Sequence, residues 1–432
     1  MRPRSHRIAP RRATLLLALG LAAAGTTAVP TAPARAADGL DCSQVGVDAE
    51  RRPVTAPDGT DDAAAALGVP AADAILQRAG VRRPGAGVTV VVVDTPSPSL
   101  KAGVTGSDVS PHGLVLSSIV AGPDQPKPRV AGGIAPGARV VQRPFYDVPR
   151  GEGGQGRIEP SAANLALQLD AVATQKKRGR LGKRTIVLTA AEVPRSAALA
   201  RAVERVVDAG ALVVAAGGDR PPAQGDAAGS GATGGDDGDL LSRFSGESAR
   251  PGEDAGPVVW PAADAGVLTV GLTSVGTAVG LRSSAIDLGA PGAGSVARAL
   301  NGGWCVVQTP SSHWAAAQVA GVAALVWPAR PDADAAARRR RLEATAAGSA
   351  GSSSRSFGFG EVQAVAALTR ADDELSPPRQ QREVVPRAVA PRPRVDRLAG
   401  VRDDAVWWGL GGGAALVVLL VLRPVLARRR TR

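Results

Sequence analysis

Aromatic side chains make up only 3% of the 432 residues, so this chain does not build its interior on ring packing. With 44% hydrophobic content it can bury one large core or two ordinary ones, made of Ala, Val and Leu. Acidic residues are missing from both ends. Residues 1–36 hold six Arg and no Asp or Glu, and residues 423–432 hold five Arg and none. Subtracting those 11 from 51 basic residues leaves 40 against 39 acidic ones, so the net charge of +12 belongs to the termini and the body is nearly neutral. That distribution speaks against a nucleic-acid partner, which needs a basic surface on the folded part. Cysteine is down to Cys42 and Cys305, which leaves room for one disulfide at most.

The charged ends frame two apolar stretches. "MRPRSHRIAPRR" is a positive leader, "ATLLLALGLAAAG" an apolar segment short for a membrane span, and "ARA" a small-x-small cleavage pattern, which together predict a secretory signal peptide over 1–36. Residues 405–422 contain no charge, and extension to 427 gives a length suited to one membrane-spanning helix. Trp407 and Trp408 sit at its outer edge, and a cytoplasmic tail follows at 428–432, with "RRRTR" as the positive flank. A buried core helix is the alternative for this run. The expectation is a single-pass cell-membrane protein, its folded part outside the cytoplasm and its C-terminus inside. In an oxidising compartment Cys42 and Cys305 are expected to pair, tying the N-terminal extension to the segment before His313; two separate buried thiols are the alternative.

Between the termini, strand and helix signals alternate. "GVTVVVVD" (87–94), "RTIVLTAA", "ALVVAAGG" and "VLTVGLTSV" are continuous β-rich runs of the kind buried on both faces of a sheet. Helical stretches lie at 111–121, 161–177 and 196–208, the last with Leu199, Val203 and Val206 on one face. The pattern predicts an α/β fold with a mainly parallel sheet and a site at the carboxyl ends of its strands. Asp94 lies at one such end and His112 at the start of the next helix. Alone, Asp94 reads equally as a turn cap and His112 as a surface or core histidine; in this order, ahead of a small-residue helix, they form a constellation.

That constellation resembles the subtilisin-like serine proteases. "VVVVDT" is similar to their aspartate segment, "HGLVLSSIVAG" to their histidine helix and "GGIAPGARVV" to the stretch that follows. "LVVAAGGD" resembles the segment bearing the oxyanion asparagine, "IDLGAPGAG" a later motif, "AAAQVAGVAALVWPARP" the helix behind the nucleophile and "FGFGEVQAVAAL" the closing segment. The resemblance covers about 81–368 in family order and implies a three-layer αβα subtilisin-like domain. The layout of signal peptide (1–36), N-terminal extension (37–80), subtilase-like domain (81–369), Pro/Arg-rich linker (370–404) and one span (405–427) is similar to that of mycosins. These are membrane-anchored subtilases associated with type VII secretion. By position the extension is an inhibitory pro-segment or a permanent belt.

In that family a serine attacks the peptide carbonyl, a histidine takes its proton, an aspartate orients the histidine, and hydrogen-bond donors hold the oxyanion. The resemblance assigns the aspartate role to Asp94 and the histidine role to His112. Counting back from Val319, Ala320 and Gly321 places His313 on the nucleophile serine, with Ser311 and Ser312 on the preceding Gly-Thr. Ser312 is the alternative nucleophile, yet one residue of shift turns a helical side chain by about 100°. Gly218 falls on the oxyanion asparagine, followed by Asp219, whose charge would repel the intermediate. Pro96 replaces the glycine of Asp-Thr-Gly, Leu114, Ser117 and Ser118 replace small residues after the histidine, and Thr189-Ala190-Ala191 replaces the Ser-x-Gly of the substrate strand.

Two functions are consistent with these departures. One is a catalytically inactive subtilase homologue, a structural or binding component associated with type VII secretion membrane components, with a peptide or protein ligand in the cleft. The other is an active serine-type endopeptidase making limited cuts outside the cytoplasm. No cofactor is expected. His112, His313 and Asp94 do not form a recognisable metal-ligand pattern, and the Gly/Asp/Ala-rich stretch at 217–256 reads as a loop whose spacing fits no calcium site.

Overall fold

The computed structural model describes residues 37–97, 110–148, 157–221, 240–274, 279–348, 352–372 and 399–428. The signal-peptide expectation, the centre of the Gly/Asp/Ala-rich stretch and most of the linker lie outside the described residues. The chain divides into two units, residues 1–381 and 382–432.

The first unit is organised by a run of valines. Strand β1 (Val88–Asp94) is buried along its whole length and is flanked by β4 (Arg139–Pro144) and β5 (Arg184–Thr189), both parallel to it. The sheet continues through β6 (Leu212–Ala216), β7 (Val267–Leu272) and β8 (Leu288–Ala290), in the order β4-β1-β5-β6-β7-β8 and parallel throughout. Side chains alternate across a strand, so Val88, Val90 and Val92 enter one apolar cluster while Val91 and Val93 enter another. The first cluster is shared with α3 (His112–Ala121) and α6 (Ser312–Val326), the second with α4 (Ala162–Lys177) and α5 (Ala197–Asp208). These are the three αβα layers expected. The helices expected at 161 and 196 open one residue later, because Ser161 and Ser196 are the capping residues, each accepting a hydrogen bond from a backbone N–H three residues on.

Small residues let α6 lie close to its neighbours. A Cβ added to Gly321 would stand 2.8 Å from Cβ of Ile134. Two antiparallel pairs flank the core: β2 (Gln125–Pro126) with β3 (Arg129–Val130), and β9 (Val296–Arg298) with β10 (Trp304–Val306). Helices α7 (Ala335–Thr345) and α8 (Ala364–Thr369) complete the unit. Part of the expected loop at 217–256 is packed: Phe244 is buried, and Arg220 forms a buried ion pair with Glu253.

The N-terminal extension carries α1 (Asp62–Ala66) and α2 (Val69–Arg78) and is held to the domain along its length. Asp61 accepts hydrogen bonds from the N–H of Ala64 at 2.5 Å and of Val296 at 3.0 Å, so one carboxylate caps α1 and fastens it to β9. Gln125 pairs through its side-chain amide with both backbone groups of Val54. Cys42 and Cys305 are joined by a disulfide spanning 263 residues, and Asp41 beside it accepts from Thr309 N–H at 3.2 Å, just ahead of α6.

The second unit contains α9 (Ala399–Arg428), in which Asp404–Pro424 is long and apolar enough to cross a membrane. The helix begins inside the last six residues assigned to the linker, so 399–404 are helical rather than extended. Its large apolar side chains, including Trp407 and Trp408, are exposed.

Closing a loop of this length restrains the unfolded chain, worth up to about 5 kcal/mol in the chain-entropy account. The double variant C42A/C305A should therefore unfold at clearly lower denaturant concentration, and added reductant should lower the midpoint of the parent chain but not of the variant. Equal midpoints for parent and variant would show that the extension's hydrogen bonds suffice.

Candidate active site

The site gathers at the carboxyl end of β1, where the sheet order turns from β4 on one side to β5 on the other. Asp94 ends β1 and is 1% exposed. Its carboxylate accepts from Thr95 N–H at 2.8 Å and from the Tyr146 hydroxyl at 3.2 and 3.3 Å, and lies 2.7 Å from Nδ1 of His112. The turn after Asp94 fixes the start of α3, since Gly113 N–H donates to Thr95 Oγ1 at 2.8 Å. A Cβ on Gly113 would stand 2.4 Å from the Thr95 carbonyl oxygen, so only glycine lets His112 come this close.

His313 completes the array from the other side. Its Nδ1 is 2.9 Å from Nε2 of His112, with the rings edge to face, and its Nε2 is 2.7 Å from Oε1 of Glu192. Trp314 packs against the His112 ring with centroids 4.7 Å apart. The result is one continuous hydrogen-bonded chain, Asp94–His112–His313–Glu192. Burial opposes a charge on His313, but the Glu192 carboxylate, with Asp219 and Asp94 behind it, outweighs that effect and raises its pKa from 6.5 to about 9. Burial likewise opposes charge on Glu192, and the His313 imidazolium overcomes it and holds the carboxyl below its ordinary value. Burial raises Asp219, and the neighbouring Glu192 charge adds to this. As an imidazolium, His313 donates from Nε2 to Glu192 and from Nδ1 to Nε2 of His112. The hydrogen-bond network then assigns the His112 proton to Nδ1, where it is donated to Asp94.

Ser311, Ser312 and Asp219 form the floor of the helix entrance. Ser311 caps α6: its hydroxyl accepts from His313 N–H at 3.1 Å and donates to Asp219 Oδ2 at 2.5 Å. Ser312 N–H donates to Asp219 Oδ1 at 2.7 Å. The Ser312 hydroxyl is fully buried and accepts from Gly218 N–H at 3.2 Å, while Nε2 of His112 is engaged by His313. Gly218, expected at the oxyanion asparagine, adopts φ +102° and contributes only this backbone donor. The side chain that reaches α6 from this loop is that of Asp219, one residue later.

Glu192 is the residue that sequence reasoning missed. It and Asp219 each follow a buried strand by three residues, Thr189 ending β5 and Ala216 ending β6. Acidic residues just beyond two neighbouring strand ends were the available signal. Ligand-type atoms of Glu192, Asp219 and His313 lie within 4.8 Å of one another. Two ligands of a tetrahedral ion, each about 2.0–2.2 Å from it, stand more than about 3 Å apart. The 2.7 Å between His313 and Glu192 is the spacing of a shared proton.

The subtilase family model matches residues 91–360, more than half the chain, and this protein belongs to that family. Among solved structures it resembles the MycP3 protease from the type VII (ESX-3) secretion system, with 25% identity, a TM-score of 0.53 and coverage of 78% of this chain and 95% of that one. MycP1 from Mycobacterium smegmatis shares 20% identity with a TM-score of 0.54, covering 80% and 93%. MycP1 with its N-terminal propeptide removed shares 21% with a TM-score of 0.53, covering 72% and 97%. These mycosin likenesses support the fold. No curated protein sequence matches the chain.

The raised pKa has a measurable sign. The folded value for His313 lies above the ordinary 6.5, so its stabilisation is complete below about pH 6.5 and is lost as pH rises through about 9. A histidine titration followed by NMR should give one imidazole midpoint near 9, moving toward 6.5 in E192Q. Thermal stability should fall more steeply between pH 7 and 9 in the parent than in E192Q. A His313 midpoint at or below 6.5 would contradict the imidazolium assignment.

Proposed function

We propose that this chain is a membrane-anchored, extracytoplasmic mycosin-like subtilase that has given up peptide cleavage and serves as a structural or binding component associated with a type VII secretion complex. The observation that carries the reading is the placement of His313 between His112 and Glu192. In this arrangement the lone pair of His112 Nε2, which a protease uses to take a proton from its nucleophile, already accepts a hydrogen bond from His313. The Asp219 carboxylate stands against the entrance to α6, where an oxyanion would need donors, and a negative group there disfavours the intermediate. Catalysis by Ser312 would need its hydroxyl at His112, and that hydroxyl is instead buried against Gly218.

A ligand still has somewhere to lie. A cavity of about 320 Å³ opens beside Tyr146, lined by Pro96, Phe145, Ile158 and Leu167 among others, with Leu167 64% exposed. Apolar walls next to a locked catalytic array suit holding a peptide or protein segment without cutting it. The association with secretion rests on the mycosins that the chain resembles, among them the MycP3 protease from a type VII secretion system. The anchor rests on the apolar span Asp404–Pro424.

Full-length protein treated with a serine-reactive fluorophosphonate should show no site-specific labelling, and S312A should behave like the parent. Labelling lost in S312A would sink the non-catalytic reading. Reinstalling the nucleophile with H313S should leave peptide turnover at least about 100-fold below that of the double variant H313S/D219N, since an oxyanion donor accounts for about 100- to 1000-fold.

A further inference from the structure

At the opposite end of the sheet, by the amino end of β5, lies a group of arginines that the site does not use. Arg338 on α7 is 1% exposed. Its Nη2 donates to the carbonyl oxygens of Trp327 at 3.3 Å and Arg330 at 3.0 Å, and its guanidinium lies 5.6 Å from the Trp327 ring centroid. Its Nε and Nη1 are buried and have no acceptor, and neither has the buried Nε of Arg330. Arginine offers only donors, so these N–H groups need oxygen atoms that the described residues do not supply. A native fold rarely leaves several such groups unmet at one place without a water or an ion to meet them.

The charges around them point to an ion. Arg341 is 4% exposed and Arg184 starts β5; together with Arg330 they surround Arg338 with positive charge, and burial with these like charges brings its pKa down to about 10, so it stays charged at neutral pH. Among the described residues the carboxylate paired with this group is Asp372, shared between Arg330 at 3.0 Å and Arg341 at 2.7 Å and largely exposed. Arg341 is otherwise met by the carbonyl oxygens of Ala367 and Arg370 at the end of α8. Among the described residues, four guanidinium groups face one carboxylate and three donor atoms are unmet, so the group is short of both negative charge and acceptor oxygens. Arg330, with 30% of its side chain exposed, connects the buried Arg338 to solvent.

We propose that Arg330, Arg338, Arg341 and Arg184 form a binding site for a phosphate group, carried by a phospholipid head group or present as free phosphate. A tetrahedral oxyanion supplies several acceptor oxygens and the missing charge at once, and guanidinium groups match its geometry.

The test uses the full-length chain in a non-ionic detergent. Thermal unfolding is followed against inorganic phosphate and, separately, against sn-glycerol 3-phosphate, with sodium chloride at matched ionic strength as control. A saturable rise in Tm with either phosphate, absent with chloride, is expected; tighter binding of the glycerol ester identifies a lipid head group as the source, and tighter binding of inorganic phosphate the free ion. R330Q, at the open side, should weaken binding at least tenfold, and R338M should abolish it while remaining folded, since it removes a buried, incompletely paired charge. A rise equal to that with chloride, or one unchanged in both variants, would overturn the proposal and leave water as the missing acceptor.

Discussion

The proton held between His313 and Glu192 is the interaction on which the site depends. It brings together a residue at the entrance of α6 and one in the loop after β5, and through His112 it reaches Asp94 at the end of β1. Each of the two outer carboxylates faces an imidazole, so the buried charges are arranged as alternating partners and not as isolated ions. Remove the imidazolium and Glu192 and Asp219 are left as neighbouring carboxylates in a partly buried pocket. In the proposed reading the geometry of a protease triad is retained in outline while its polarity is changed: the position assigned to an attacking oxygen holds the His313 cation, and the region assigned to the oxyanion holds the Asp219 carboxylate.

Much of the fold could be read from the chain. The valine run of β1, the serine caps of α4 and α5, and the small residues of α6 are local signals that act through burial, capping and close approach, and the folded elements follow them to within a residue or two. Asp94, His112 and His313 were legible as candidates because register in a helix and at a strand end is a counting problem. Glu192 was not, because its meaning comes from a partner 121 residues away. Asp219 was noticed only as an unfavourable neighbour of Gly218. Whether Gly218 or Asp219 faces α6 depends on the turn of the backbone after β6, and spacing alone does not determine that turn. The arginine group was not legible for a related reason: nothing local in "RRRR" of α7 marks Arg338 and Arg341 as buried or Arg339 as paired with Asp287 and Glu343.

The two ends of the sheet thus carry opposite arrangements. At the carboxyl end, acidic groups outnumber the imidazoles they surround and are brought into balance by protons. At the amino end, among the described residues, guanidinium groups outnumber the carboxylate of Asp372 paired with them and cannot be balanced that way, because arginine does not readily lose its proton. The parallel sheet separates the two groups and keeps each from neutralising the other.

The bond between Cys42 and Cys305 has a topological consequence. Because it closes a ring of chain that includes the segment between β6 and β7, a single backbone cut anywhere in that ring opens it without dividing the molecule. The extension and α6 would remain parts of one covalent body, and the nick would be invisible in size until the disulfide was reduced.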